Sequence, residues 1–298
     1  MQKNHIYIME YLIHLSIILL IYSGLAVSLS VLVGKAGIFS VAHATWFGVG
    51  AYATALSMFG GYSYGTSVVV AISVTLVVSA FVSIVLLPLA KEQYAIGSFG
   101  YSVLFSTILI QGASVTHGTV GMFGIPRPTV FGFLLESNIS FLVFTAVVLG
   151  SAVTILWYIT RSHFGRVLCA IRDDEPALKV FHYNINHFKV LIYAITSAVA
   201  ALCGTLYATY VSFIDPSSFS LTESIFILTL VAVGGLGSLR GSALGAATLM
   251  LLPEMLRFVG VPSESAAEWR MVIYGILLVY VGLYRPQGFF ARPHLTAA

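Results

Sequence analysis

Four polar side chains, Ser40, His43, Thr45 and Tyr52, fall around the start of one apolar segment, just after the run Gly34-Lys35-Ala36-Gly37. Hydroxyl and imidazole groups are expensive inside a bilayer, so such a cluster is expected either to face a translocation pathway or to be satisfied locally. A second glycine-rich run, Gly234-Gly235-Leu236-Gly237-Ser238-Leu239-Arg240-Gly241, stands in a roughly corresponding place late in the chain. Glycine-interrupted helices at matching positions place free backbone groups on a substrate pathway; the alternative is a pair of tight interhelical turns. Gly37, Gly234, Gly235 and Gly237 are therefore candidate pathway residues alongside the four polar ones.

Other chemistries find less support. The second run lacks the preceding strand and the spacing of a phosphate loop, and no G-x-x-x-x-G-K-[ST] occurs in the sequence. The expectation is a transport subunit without its own ATPase site, so ATP-driven transport would need a separate polypeptide. The eight histidines are scattered without metal-ligand spacing, and Cys169 and Cys203 have no redox spacing, so no metal, cofactor or catalytic residue is expected. A membrane enzyme would cluster His, Asp or Cys at one membrane face. An ion-coupled secondary transporter would need carboxylates near the bilayer midplane, whereas Glu10, Glu223 and Glu254 are read as lying near segment ends. Glu10 and His14 are one turn apart and either pair or reflect an interfacial position; Glu254 and Arg257 are expected to form a helix-end ion pair.

The elements that must hold these residues are membrane helices. Of 298 residues, 58% are hydrophobic and 8% charged, too few charges to cover a water-facing surface. Mean hydropathy is +0.96. A net charge of +3 gives no case for nucleic acid. About nine apolar segments are legible, at 8–33, 43–59, 66–88, 94–113, 138–160, 190–213, 222–238, 242–258 and 271–284. The expected fold is all-α and polytopic, with about 8–10 transmembrane helices, some broken at glycine, in a single domain over 1–298. The first segment has no small-residue cleavage site and is read as a retained helix.

Lys/Arg bias sets the orientation. Segment 161–189 carries Arg161, Arg166, Arg172, Lys179 and Lys189 and is placed in the cytoplasm, which puts Lys91, Arg240, Arg285, Arg292 and the C-terminus on the same side. Loops 114–137, 214–221 and 259–270 then face outward, and the N-terminal side stays open. Ala44, Gly48, Ala51 and Ala55, and again Ala194, Ala198, Ala201, Gly204 and Ala208, form small-residue packing faces.

Within 161–189, Gly165 to Arg172 reads as a short helix, and Asp174 caps a second one with Glu175 and Pro176 in its first turn. Ala177, Leu178, Val180 and Phe181 make that helix largely apolar although it lies outside the membrane, and Asn186 is expected to cap the next helix. Exposed Leu178 and Phe181 need a covering surface, either a groove on a partner protein or the membrane.

Five blocks, in order, resemble the M-type permease subunit of the high-affinity branched-chain amino-acid ABC importers: GKAGIFSVAHATWFGVGAYATAL, LLPLAKEQYAI, HGTVGMFGIPRP, FGRVLCAIRDDEPALKVFHYNINHFKVL and FIDPSSFSLTESIFILTLVAVGGLGSLRGSALGA. The resemblance implies a bacterial-type inner-membrane complex of two permease subunits, with a heterodimer favoured. Two cytoplasmic ATPase subunits would consume ATP, and an external substrate-binding protein would deliver the solute. It also implies that Arg172, Asp173, Asp174, Glu175, Ala177, Leu178 and Phe181 receive the force of ATPase closure. Family architecture of this kind serves branched-chain and other amino acids, urea and short amides. Two departures stand out: Phe181-His182-Tyr183 replaces a small residue and glycine before Ile185-Asn186, and Val41-Ala42 replaces Leu-Gly before His43.

Overall fold

A computed structural model describes residues 2–86, 89, 91–130, 133–258, 263–284 and 288–289; among these, side chains are described except at 2–6, 91–92, 130, 133, 253–258 and 263–271. The helices in chain order are α1 (Gln2–Ala36), α2 (His43–Phe59), α3 (Tyr64–Leu86), α4 (Lys91–Gln111), α5 (Ala113–Thr116), α6 (Asn138–Arg161), α7 (His163–Asp173), α8 (Glu175–Val180), α9 (Ile185–Val211), α10 (Leu221–Gly234), α11 (Leu239–Phe258) and α12 (Ser263–Tyr284). Every apolar segment of the sequence coincides with a helix. The expected Glu254–Arg257 pair and the side chains of Lys91, Arg270, Arg285 and Arg292 lie outside the described residues.

Five stretches are each long and apolar enough to cross a membrane: Tyr7–Ala36, Tyr64–Leu86, Gln93–Gln111, Asn138–Arg161 and Ile185–Val211. Leu221–Gly234 and Leu239–Leu252 pass the same test only together, bent by 118°, for up to six spans among the described residues. At 17 residues, α2 is short, because it starts inside the protein after the first glycine break.

Strand content is minimal. β1 (Met122–Phe123) pairs antiparallel with β4 (Phe213–Ile214), and β2 (Thr129–Val130) with β3 (Phe133–Leu134). The first ladder ties the loop after α4 to the loop after α9, so both lie at one end of the molecule. His14 Nδ1 lies 2.8 Å from Tyr210 Oη near that end of α9, while Gly34 meets Arg172 at the opposite end. Helices α1 and α9 are therefore antiparallel. The N-terminal end of α1 lies at the end of the molecule opposite the basic 161–189 segment. His14 thus bonds Tyr210, and of the two expectations for Glu10 and His14 the pair is not among the ion pairs of the described residues.

Helix α2 is the hub of the core, with eleven residues buried from His43 to Ala55. It packs against α9 at backbone distance. A Cβ on Gly50 would fall 2.2 Å from the Ala201 carbonyl oxygen, and one on Gly204 would fall 2.0 Å from that of Phe47. Small residues permit this approach, which supplies dispersion contact where lipid leaves no hydrophobic drive. The expected stripe on α9 is used at Ala201, Gly204 and Ala208. On α2 the closest contact is at Gly50, between the expected positions, while Gly48 faces Phe105 and Phe219.

Candidate translocation and coupling site

Both glycine breaks are real, and they touch. At the first, Gly37 adopts φ +69°, which only glycine takes readily, and Ile38 N reaches back 3.3 Å to the Leu32 carbonyl. At the second, Gly235 and Gly237 have φ of +115° and +82°, and Gly234 packs against Gly241 so that α10 folds back on α11. A Cβ on Gly34 would lie 2.0 Å from Gly237 N, so the two breaks meet backbone to backbone. Ser30 Oγ accepts from Gly237 N at 3.1 Å across this contact.

Ahead of α2 the chain re-enters the protein, and hydroxyls from other helices satisfy its amides. Val41 N donates to Ser98 Oγ of α4 at 3.0 Å, and Ala44 N to Ser224 Oγ of α10 at 3.1 Å. Ser40 Oγ accepts from Ala42 N at 3.3 Å. Orphan donors at a helix start inside a membrane must be met this way. His43 Nε2 lies 2.7 Å from Ser28 Oγ, whose hydroxyl also reaches the Leu25 carbonyl at 2.9 Å. When Ser28 donates to Leu25, the ring donates through Nε2 and presents Nδ1 as an acceptor.

His43 Nδ1, Thr45 Oγ1, Tyr52 Oη, Tyr94 Oη, Ser102 Oγ, Thr145 Oγ1 and Ser197 Oγ are buried without a hydrogen-bond partner among the described residues. Each such group costs about 1–3 kcal/mol when left unmet. Six of the seven lie on α2, α4 and α9, a polar column in an apolar bundle, and Thr145 lies on α6. Trp46 Nε1 donates to Tyr193 Oη at 3.3 Å, and the Trp46 ring stacks on Tyr101 with centroids 5.3 Å apart, which fixes the aromatic wall of this column. Of the sequence candidates, Ser40, His43 and Thr45 come together here. Tyr52 lies further along α2 against Phe219, with ring centroids 5.8 Å apart.

Below the first break, α7 and α8 form a hairpin. Val167 and Ile171 of α7 pack with Ile185 of α9 into a small core, against which Leu178 and Phe188 rest. Leu178 is therefore half-buried, correcting the expectation that it is exposed; the exposed apolar tip is Val180 and Phe181, at 75% and 74%. Asp174 Oδ1 accepts from Ala177 N at 3.0 Å, the expected cap, whereas α9 is capped by Asn184, not Asn186, through a bond from His187 N. Arg172 pairs with Asp173 at 2.8 Å and donates from Nη1 to the Gly34 carbonyl at 2.5 Å.

Glu175 forms ion pairs with Lys189 at 2.7 Å and Lys179 at 3.3 Å. Partial burial pushes its carboxyl pKa up, but the bonds and charges of Lys189 and Lys179 outweigh burial and hold it below the ordinary value. Asp215, in the outer loop before α10, is likewise held low. Burial opposes this, but hydrogen bonds from Ser217 and Ser218 outweigh it.

Two glycine breaks in contact, a polar column at a helix start and a basic hairpin bound to the first break together describe a transport subunit. Residues 8–282 match the family described as "Branched-chain amino acid transport system / permease component". The chain belongs to this permease family. It is 27% identical to the high-affinity branched-chain amino acid transport system permease protein LivM of Salmonella typhimurium, over 93% of this chain and 69% of that protein. The probable branched-chain amino acid transport permease protein LivM of Methanocaldococcus jannaschii is 28% identical over 59% of this chain and 54% of its own. The fructose import permease protein FrcC of Rhizobium meliloti is 28% identical over 46% of this chain and 39% of its own. No solved structure matches the chain.

Sequence reasoning about this permease missed Ser28, Ser98 and Ser224, the hydroxyls that receive or brace the start of α2. Each is a lone serine in an apolar helix, a signal that is legible but common. Glu223 stands in the first turn of α10, at the segment end where it was expected, and its Oε1 accepts from Tyr22 Oη at 2.5 Å, a partner in the middle of α1 that the sequence did not suggest. Among the described residues, no three His, Cys, Asp or Glu side chains gather as metal ligands.

Proposed function

We propose that this permease is the membrane-spanning subunit of an ABC importer that moves branched-chain or related amino acids inward across a bacterial-type inner membrane. The observation that carries the reading is the hairpin α7–α8. Its apolar tip, Val180 and Phe181, projects away from the bundle, and its Arg172 holds the first glycine break. A tip of this kind fits a groove on a cytoplasmic ATPase, and the bond to Gly34 passes its displacement to the start of the α2 pathway.

In this reading the subunit binds no cofactor and has no enzymatic site. Two ATPase subunits hydrolyse ATP, a second and different permease completes the pathway, and an external binding protein selects the solute. The amino-acid class is favoured over a sugar because the alignment to the Salmonella relative spans nearly the whole chain, whereas that to the fructose permease spans under half.

The bond between Glu223 and Tyr22, at the middle of α1, favours one second reading, a stand-alone ion-coupled transporter, because such proteins bind their coupling ion at intramembrane carboxylates. Affinity purification of the tagged chain from native membranes, with mass spectrometry of co-purifying proteins, decides between them. Recovery of a second permease and two P-loop ATPases is the expected result. Recovery of the chain alone, moving radiolabelled leucine into liposomes without ATP, would establish the second reading.

A further inference from the structure

A groove of about 450 Å³ runs between α1, α6 and α11. Its walls are Leu20 and Val27 of α1, Leu149 and Val153 of α6 and Ala243 of α11. Gly150 leaves the groove open, because a Cβ there would meet nothing within 4 Å, while Gly24 lets α1 approach Cys203 and Leu149. From Ala146 to Trp157 the groove follows α6 for about 16 Å at the helical rise per residue, roughly half the hydrocarbon thickness of a bilayer.

One end differs from the rest. Trp157 and Arg240 line the groove where α6 finishes and α11 starts, next to the basic hairpin. The Arg161 guanidinium lies 4.3 Å over the Trp157 ring, which places a second positive charge at the same mouth. Arg240 is exposed and forms no ion pair among the described residues. Trp157 and Tyr158 are 39% and 71% exposed, an amphipathic pair suited to the membrane–water boundary.

We infer that this groove is a binding site for an anionic phospholipid of the cytoplasmic leaflet. Its phosphate is held by Arg240 and Arg161, and one acyl chain lies along α6 between Leu20, Leu149 and Val153. Charge complementarity selects the occupant. Two guanidiniums beside an apolar groove match a phosphate headgroup with its acyl chain, and basic pockets between helices on the cytoplasmic side suit such headgroups. The half-bilayer length fits one leaflet's chain. Because Leu239 and Arg240 directly follow the second glycine break, the lipid would brace the outer edge of the joint formed by Gly34 and Gly237.

The test is native mass spectrometry of the purified full-length chain, titrated with phosphatidylglycerol and with phosphatidylcholine of the same acyl chains. The wild-type chain is expected to retain phosphatidylglycerol preferentially. Arg240→Ala should weaken that preference about fivefold, from the loss of one basic contact near the headgroup. Gly150→Leu, which fills empty space without a clash, should displace the lipid while leaving the thermal unfolding midpoint in detergent unchanged. Equal retention of both lipids by the wild-type chain overturns the inference, as does phosphatidylglycerol retention unaffected by both variants. A cysteine at position 150 that crosslinks to a second permease in native membranes would assign the groove to a protein interface instead.

Discussion

Arg172 and Gly34 lie 138 residues apart in sequence, and the guanidinium of one donates to the backbone carbonyl of the other at 2.5 Å. The carbonyl belongs to the last turn of α1, where no helical amide remains to receive it, so a hairpin side chain completes the end of a membrane helix. In the proposed importer, this bond would pass a displacement of the hairpin to the chain that leads into α2. Arg172→Ala is expected to leave the complex assembled and hydrolysing ATP while leucine uptake falls about tenfold, the loss of one charge-assisted bond. Parallel uptake and phosphate-release assays on the same vesicles check this, and equal loss of both activities would mean that Arg172 serves assembly instead.

Val180 and Phe181 are exposed while Leu178 rests on the hairpin core, so substitutions at the two places should fail differently. Phe181→Asp and Val180→Asp are expected to abolish ATPase co-purification with an unchanged melting temperature. Leu178→Asp places a charge on a half-buried surface and should destabilise the hairpin by about 1–3 kcal/mol. Pull-down and thermal unfolding of the three variants separate the two effects.

Helices α2 and α9 meet through backbone, so even a methyl group is too large there. Gly204→Val is expected to eliminate folded protein, because its Cβ would sit 2.0 Å from the Phe47 carbonyl oxygen. Gly275→Val, on a face with nothing within 4 Å, should express and purify normally. Size-exclusion profiles in detergent give the readout.

The Glu175–Lys189 pair predicts a pH signature. Because the folded carboxyl pKa is lowered, its stabilisation is fully present above the ordinary value of 4.5 and is lost as pH falls through the lower folded value. Hydrogen-exchange protection of α8, taken relative to the intrinsic rate at each pH, should therefore hold from neutral pH down to that range and fall below it. Lys189→Gln should raise exchange at neutral pH and flatten the dependence.

Glu223→Gln separates the two transport readings. In an ATP-driven permease, its bond with Tyr22 is structural, and the amide is expected to leave uptake within about threefold of wild type, since a neutral acceptor still satisfies the hydroxyl. In an ion-coupled carrier the same change would eliminate uptake. Liposome transport with and without ATP distinguishes them.

The helices and both breaks were legible because apolar runs and glycine clusters act locally, and each reports on its own stretch of chain. The hairpin was legible for the same reason, since Asp174 caps α8 through a neighbour three residues away. What escaped depends on depth and on pairing at long range. Glu223 begins an apolar segment, and only the re-entry of the chain before α10 places that beginning beside Tyr22. Leu178 has the same periodicity as Phe181, and only the turn of α7 against α9 decides which one is covered. Ser98 and Ser224 look like any serine in a membrane helix until the start of α2 is brought to them.

The crossing of Gly34 and Gly237 has a mechanical consequence. Interlocked side chains resist sliding, because each must leave its rotamer well before the surfaces can shift. Two glycines offer bare backbone ribbons with no rotamers to unpick, and the nearby Ser30 hydroxyl can swing to follow a moving amide. In the proposed transport cycle such a junction would serve as a bearing more than as a latch, fixing the separation of the two broken helices while putting no side-chain barrier in the way of their turning.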